Sequence, residues 1–149
     1  MLVAVAMAGA SLGSISKAYA DPAIFDCGGP ARVDAISEPW SQSTRTFANG
    51  KIRIIALDTA EPACCSFHLA ILAPNPDDEL GLRQCAVLND GAEWTGFQSV
   101  DVSGTQSSYH PGRGLLLSVP VERYIDGVRS TRLVVDIRIN QATGAITLE

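Results

Sequence analysis

Hydrophobic and polar positions alternate most regularly along two neighbouring stretches, residues 114–125 and 129–140. In the first, Leu115, Leu117, Val119 and Val121 alternate with Leu116, Ser118, Pro120 and Glu122. In the second, Leu133, Val135, Ile137 and Ile139 alternate with Val134, Asp136, Arg138 and Asn140. A period of two sends successive side chains to opposite faces of a pleat, so each stretch predicts a half-buried strand. Asp126-Gly127 between them predicts a hairpin. A two-residue Asp-Gly loop would set Leu117 against Asp136 and break the apolar stripe. A three-residue loop over Ile125, Asp126 and Gly127 instead pairs Tyr124 with Val128, Val119 with Leu133, Leu117 with Val135 and Leu115 with Ile137. That geometry, a turn closed by a bulge, asks for positive φ at Gly127.

The same period recurs upstream in shorter runs. Asn49-Gly50 separates two candidate strands within residues 45–58, and a tight loop there pairs Phe47 with Ile52. Ile54 to Leu57 is apolar on both faces, which predicts an interior strand. Cys65, Phe67, Leu69 and Ile71 alternate with Ser66, His68, Ala70 and Leu72. Residues 85–88, 97–102 and 145–148 predict further short strands, and residues 32–36 one more. Residues 74–82 and 103–112 carry turn chemistry and predict loops, as does Asn89-Asp90-Gly91. No stretch holds an apolar 3.6-residue period over three turns. About seven or eight short strands, punctuated by turns, predict an all-β fold: an antiparallel β-sandwich or a small barrel.

The start of the chain breaks this pattern. Residues 2–10 are apolar, and Ala18-Tyr19-Ala20 has the small-x-small form of an export cleavage site. The expectation is a signal peptide over residues 1–20 and a single domain over 21–149. Lys17 lies beyond the apolar core rather than before it, an unusual order for such a segment. Residues 21–43, rich in Pro, Gly, Ser and acids, predict a loosely structured arm. A mature chain of this length buries roughly two thirds of the surface its unfolded form exposes. Without Lys17 it carries ten basic and sixteen acidic residues, a net charge of −6. No basic stripe appears, which speaks against nucleic acid or an anionic membrane as partner.

All four cysteines, Cys27, Cys64, Cys65 and Cys85, lie in the mature part. An even count in an exported chain predicts two disulfides. Bridging adjacent residues demands distorted geometry, so the expected pairings join Cys27 to one of Cys64 and Cys65, and Cys85 to the other. A metal site on Cys64, Cys65, His68 and Cys85 is disfavoured. On a strand, Cys64 and His68 stand about 13 Å apart, and Cys65 and His68 leave opposite faces. The acidic run Asn75-Pro76-Asp77-Asp78-Glu79 lacks the glycine and distal acid of a calcium loop and reads as a solvated turn. No G-x-S-x-G or H-E-x-x-H is present, and Ser14-x-x-Lys17 falls in the leader.

These features favour an exported, non-catalytic binding or interaction module of the envelope. It would be periplasmic rather than extracellular, would need no cofactor, and would meet another envelope protein, a glycan or a small ligand. The alternatives are a small secreted hydrolase using His110 or His68, and a purely structural envelope protein. The loop at 103–113 is the expected contact region. Tyr109 supplies a ring with a polar tip, Arg113 a planar donor fork, and His110 a charge that changes near neutral pH.

Overall fold

The computed structural model describes residues 19–92, 94–126 and 128–149, and within it the chain forms two five-stranded antiparallel sheets packed face to face. The leader expected over residues 1–20 lies almost wholly outside the described residues, as does the expected φ of Gly127. The first sheet has the order β1 (Ala23–Asp26), β5 (Arg83–Asn89), β4 (Phe67–Pro74), β3 (Ile52–Asp58), β2 (Thr44–Phe47). The second runs β10 (Ile146–Leu148), β9 (Arg129–Ile139), β8 (Gly114–Asp126), β6 (Ser99–Val100), with β7 (Gln106–His110) also on β8. The ten described strands make a sandwich with more strands than expected.

The core follows the period of two. Ile52, Ile54 and Ala56 of β3, Leu69, Ile71 and Ala73 of β4 and Leu88 of β5 face Leu115, Leu117, Val119 and Val121 of β8 and Val135, Ile137 and Ile139 of β9. Each Ile, Leu or Val side chain among them, fully buried, contributes about 1.5–3 kcal/mol relative to an exposed one. The sheets are tied where β4 leads into the core: Phe67 and Phe97 exchange backbone hydrogen bonds of 3.1 and 2.7 Å.

The Phe47–Ile52 pairing occurs as expected. The main hairpin differs in register. Val119 faces Val135, Leu117 faces Ile137 and Leu115 faces Ile139, two residues further along β9 than the three-residue loop demands. A shift of two preserves every side chain's face, so the apolar stripe survives it. The ladder then reaches Asp126–Arg129, and the bulge falls at Ile125 rather than at the glycine. Extending the ladder satisfies more backbone groups and puts Val128 beyond its last described pair, 93 % exposed.

Three expected loops or strands turn out otherwise. Residues 106–110 form β7, although Gln-Ser-Ser-Tyr-His has no alternation. It is a strand because the long β8 needs partners along its second edge, which β7 takes at 114–118 and β6 at 121–122. Pro120, which has no N–H to give, sits where that edge passes from β7 to β6. Its carbonyl accepts from the Asp101 N–H at 2.9 Å, so its nitrogen faces the same interrupted edge. The arm is ordered: β1 pairs with β5, a 3-10 turn covers Val33–Ala35 where a strand was expected, and α1 spans Trp40–Ser43.

The disulfides also depart from expectation. Cys27 pairs with Cys85, and Cys64 with its neighbour Cys65. The register decides this. The β1–β5 ladder continues to Cys27, whose N–H donates to the Cys85 carbonyl, placing the two Cα atoms 5.3 Å apart. Cys64 and Cys65 sit in the β3–β4 loop and are left to each other.

Candidate functional site

The outer face of the first sheet is apolar, since β3 and β4 are hydrophobic on both sides. Leu57, Ala70 and Val87 are buried there, and the arm lies across them, with Ala35 at the centre of the contact and Ala31 and Ile36 beside it. Between arm and sheet a cavity of about 400 Å³ remains. Residues 29–35 form one wall, and Asp58 at the end of β3 with Thr59, Ala60 and Glu61 of the β3–β4 loop form another. Trp94 closes the side, and His68 of β4 is the strand residue beneath.

His68 is 2 % exposed. The β4–β5 ladder pairs Leu69 with Leu88, so the next outward pair sets His68 beside Asn89. His68 Nδ1 lies 2.7 Å from Asn89 Oδ1. A carbonyl oxygen only accepts, which assigns the proton to Nδ1 and leaves Nε2 as a lone-pair acceptor. Among the described residues Nε2 makes no protein hydrogen bond. Asn89 is fully buried, and its Nδ2 has no partner among them either. Burial lowers the His68 pKa, outweighing the Asn89 hydrogen bond and the negative charges of Glu61 and Asp58, which act to raise it. The ring is therefore a neutral imidazole at neutral pH.

The walls are held by local backbone chemistry. Asp58 Oδ1 accepts from the Ala60 N–H at 2.9 Å, and Ala60 has φ +56°. Thr59 is fixed to the Ser66 carbonyl by its N–H at 3.0 Å and its hydroxyl at 3.3 Å. Arg32 Nε donates to Asp34 Oδ1 at 3.0 Å, and its Nη2 meets the other oxygen, so these two charges neutralise each other. Trp94 packs on glycine backbone: a Cβ added at Gly29, where φ is +38°, would come within 2.9 Å of Trp94 Cδ2. Phe25 braces the same indole, with centroids 6.0 Å apart. The bridged Cys64 and Cys65 close the far part of the loop that follows Asp58 and carries Glu61. The Cys65 carbonyl packs so closely on Gly96 that a Cβ there would lie 2.0 Å from it.

The contact residues expected from the sequence lie elsewhere. Tyr109 and His110 are consecutive in β7 and so leave opposite faces of the strand. Arg113, in the following turn, pairs with Glu149. All three are exposed, and His110 Nδ1 accepts only from the Gly112 N–H at 3.2 Å. They do not converge on one point. Among the described residues no three His, Cys, Asp or Glu side chains meet in a metal-binding group, and no helix is long and apolar enough to cross a membrane. Within Asn75–Glu79, Asn75 Oδ1 accepts from Asp77 N–H, and Asp78 Oδ1 accepts from the Leu80 and Leu82 N–H groups.

Asn89, Asp58, Glu61 and Trp94 escaped sequence reasoning. Asn89 looked like the first residue of a turn and is the last of β5. The one available signal was the two-faced hydrophobicity of β3, which requires a cover over its outer side. Comparison with protein-family models, with curated proteins and with solved structures found no match for this chain.

Proposed function

We propose that this chain is an exported, non-catalytic binding module of the envelope, and that the cavity over His68 receives a small ligand. The observation carrying this is His68, a 2 % exposed imidazole that lines the cavity and whose Nε2 makes no hydrogen bond among the described residues. A polar group withdrawn from bulk water without a partner costs about 1–3 kcal/mol, so a fold that keeps this acceptor on a cavity wall gains when a ligand supplies a donor. The cavity is of ligand-binding size. Two disulfides and the export-type leader support an oxidising compartment, which the periplasm provides. Catalysis by His68 lacks its usual companions: the imidazole is oriented by an amide, and no hydroxyl among the described residues bonds to it.

A fragment screen on isotope-labelled protein tests this. Hits are expected to shift the ring signals of His68 and Trp94. Gly29→Ala, which displaces the indole, should abolish those shifts while the signals of Val119 and Ile137 stay in place. Hits that cluster instead on Tyr109, His110 and Arg113 would move the site to the β7–β8 hairpin and withdraw the cavity.

A further inference from the structure

The charges around the cavity are unequal. Arg32 is spent on Asp34, which leaves Asp58 at the end of β3 and Glu61 in the following loop as uncompensated carboxylates. Neither meets a cation in the described structure, and Asp58 uses one oxygen for the Ala60 N–H alone. Trp94, 42 % exposed, lines the same cavity, and an indole face attracts a positive charge through its quadrupole. Beneath lies His68, nine-tenths buried and more, whose unpartnered Nε2 accepts and does not donate.

Resting on the reading of this cavity as a binding site, we infer that its ligand is an organic cation with N–H donors, a primary ammonium or guanidinium compound. Each element of the site asks for the same thing. Carboxylates select positive charge, the indole favours a cation over an anion, and a lone-pair imidazole needs a hydrogen to accept. A quaternary ammonium would satisfy the first two and leave Nε2 unmet. A carboxylate or phosphate ligand would face two like charges and find no free cation among the described lining residues.

Three four-carbon probes of the same length but different charge separate the possibilities: 1,4-diaminobutane, 1,4-butanediol and succinate, each titrated against the full processed protein by NMR. The diamine is expected to move the Trp94 indole signal saturably and to shift the His68 Nε2 resonance upfield from its free lone-pair position. Glu61→Gln and Asp58→Asn should each weaken it about five- to tenfold, and raising the salt concentration should weaken it further. Asn at 58 keeps an oxygen for the Ala60 N–H, and Glu61 is exposed, so both variants should melt as the parent does. Equal or tighter binding of butanediol or succinate at these signals overturns the cation and leaves the cavity a binding site. Diamine binding that survives both substitutions also overturns it. If none of the probes, and no fragment of any charge, moves His68 or Trp94, the binding reading falls with it.

Discussion

At the scale of single residues, His68 couples the cavity to the pH dependence of the whole fold. Its native pKa is depressed below the ordinary value of 6.5, chiefly by burial. Below that ordinary value the unfolded chain therefore binds a proton that the native state resists. Stability from this group is fully present above pH 6.5 and is lost as pH falls towards the native pKa. Urea melts of the parent should thus weaken as the pH falls below the ordinary histidine value of 6.5. A His68→Gln variant keeps a polar group beside Asn89 and should flatten that part of the profile. A parent profile as steep in the variant as in the wild type would assign the slope to other groups.

At the scale of elements, the β3–β4 loop and the segment before β6 are locked through one close approach. Gly96 lets the Cys65 carbonyl pack against its Cα and lets Phe67 and Phe97 exchange their hydrogen bonds. Gly96→Ala would place a methyl group 2.0 Å from that carbonyl oxygen. Backbone must then move, and the expected loss is about 1–3 kcal/mol, measured by chemical denaturation. Because the same loop carries Glu61 and begins at Asp58, the variant should also lose diamine binding. Unchanged stability would mean that the loop yields without cost and does not tie the sheets.

For the molecule as a whole, the two disulfides differ in what they restrain. Cys27–Cys85 closes a separation of 58 residues and fastens the arm over the outer face of the first sheet. Loop-closure entropy assigns such a bridge about 4 kcal/mol. Cys64–Cys65, with a separation of one, closes essentially no loop. A Cys27→Ala/Cys85→Ala variant should therefore lose far more stability than Cys64→Ser/Cys65→Ser, and hydrogen exchange should show β1 and the arm opening first. Equal losses would mean that the arm is held by packing of Ala31, Ala35 and Ile36 rather than by the bridge.

Sequence alone determined whatever depends on which face a side chain takes. The period of two over residues 115–121 and 133–139, the Phe47–Ile52 register and the interior position of β3 follow from it, since a strand with one buried face cannot slip by one residue without exposing its apolar set. The all-β sandwich follows from several such strands together. Tertiary structure decided what has no local signature. β1 and β7 are strands because β5 and β8 offer unpaired N–H and C=O groups, which Ala-Ile-Phe-Asp and Gln-Ser-Ser-Tyr-His satisfy by position rather than by pattern. The two-residue shift in the main hairpin preserves every face, so alternation is blind to it. Disulfide pairing came from a ladder that brings Cys27 to Cys85. The cavity joins residues as distant as Gly29, Asp58, His68 and Trp94. Each of these looked ordinary in its own segment, and only packing put the buried imidazole, the free carboxylates and the indole around one space.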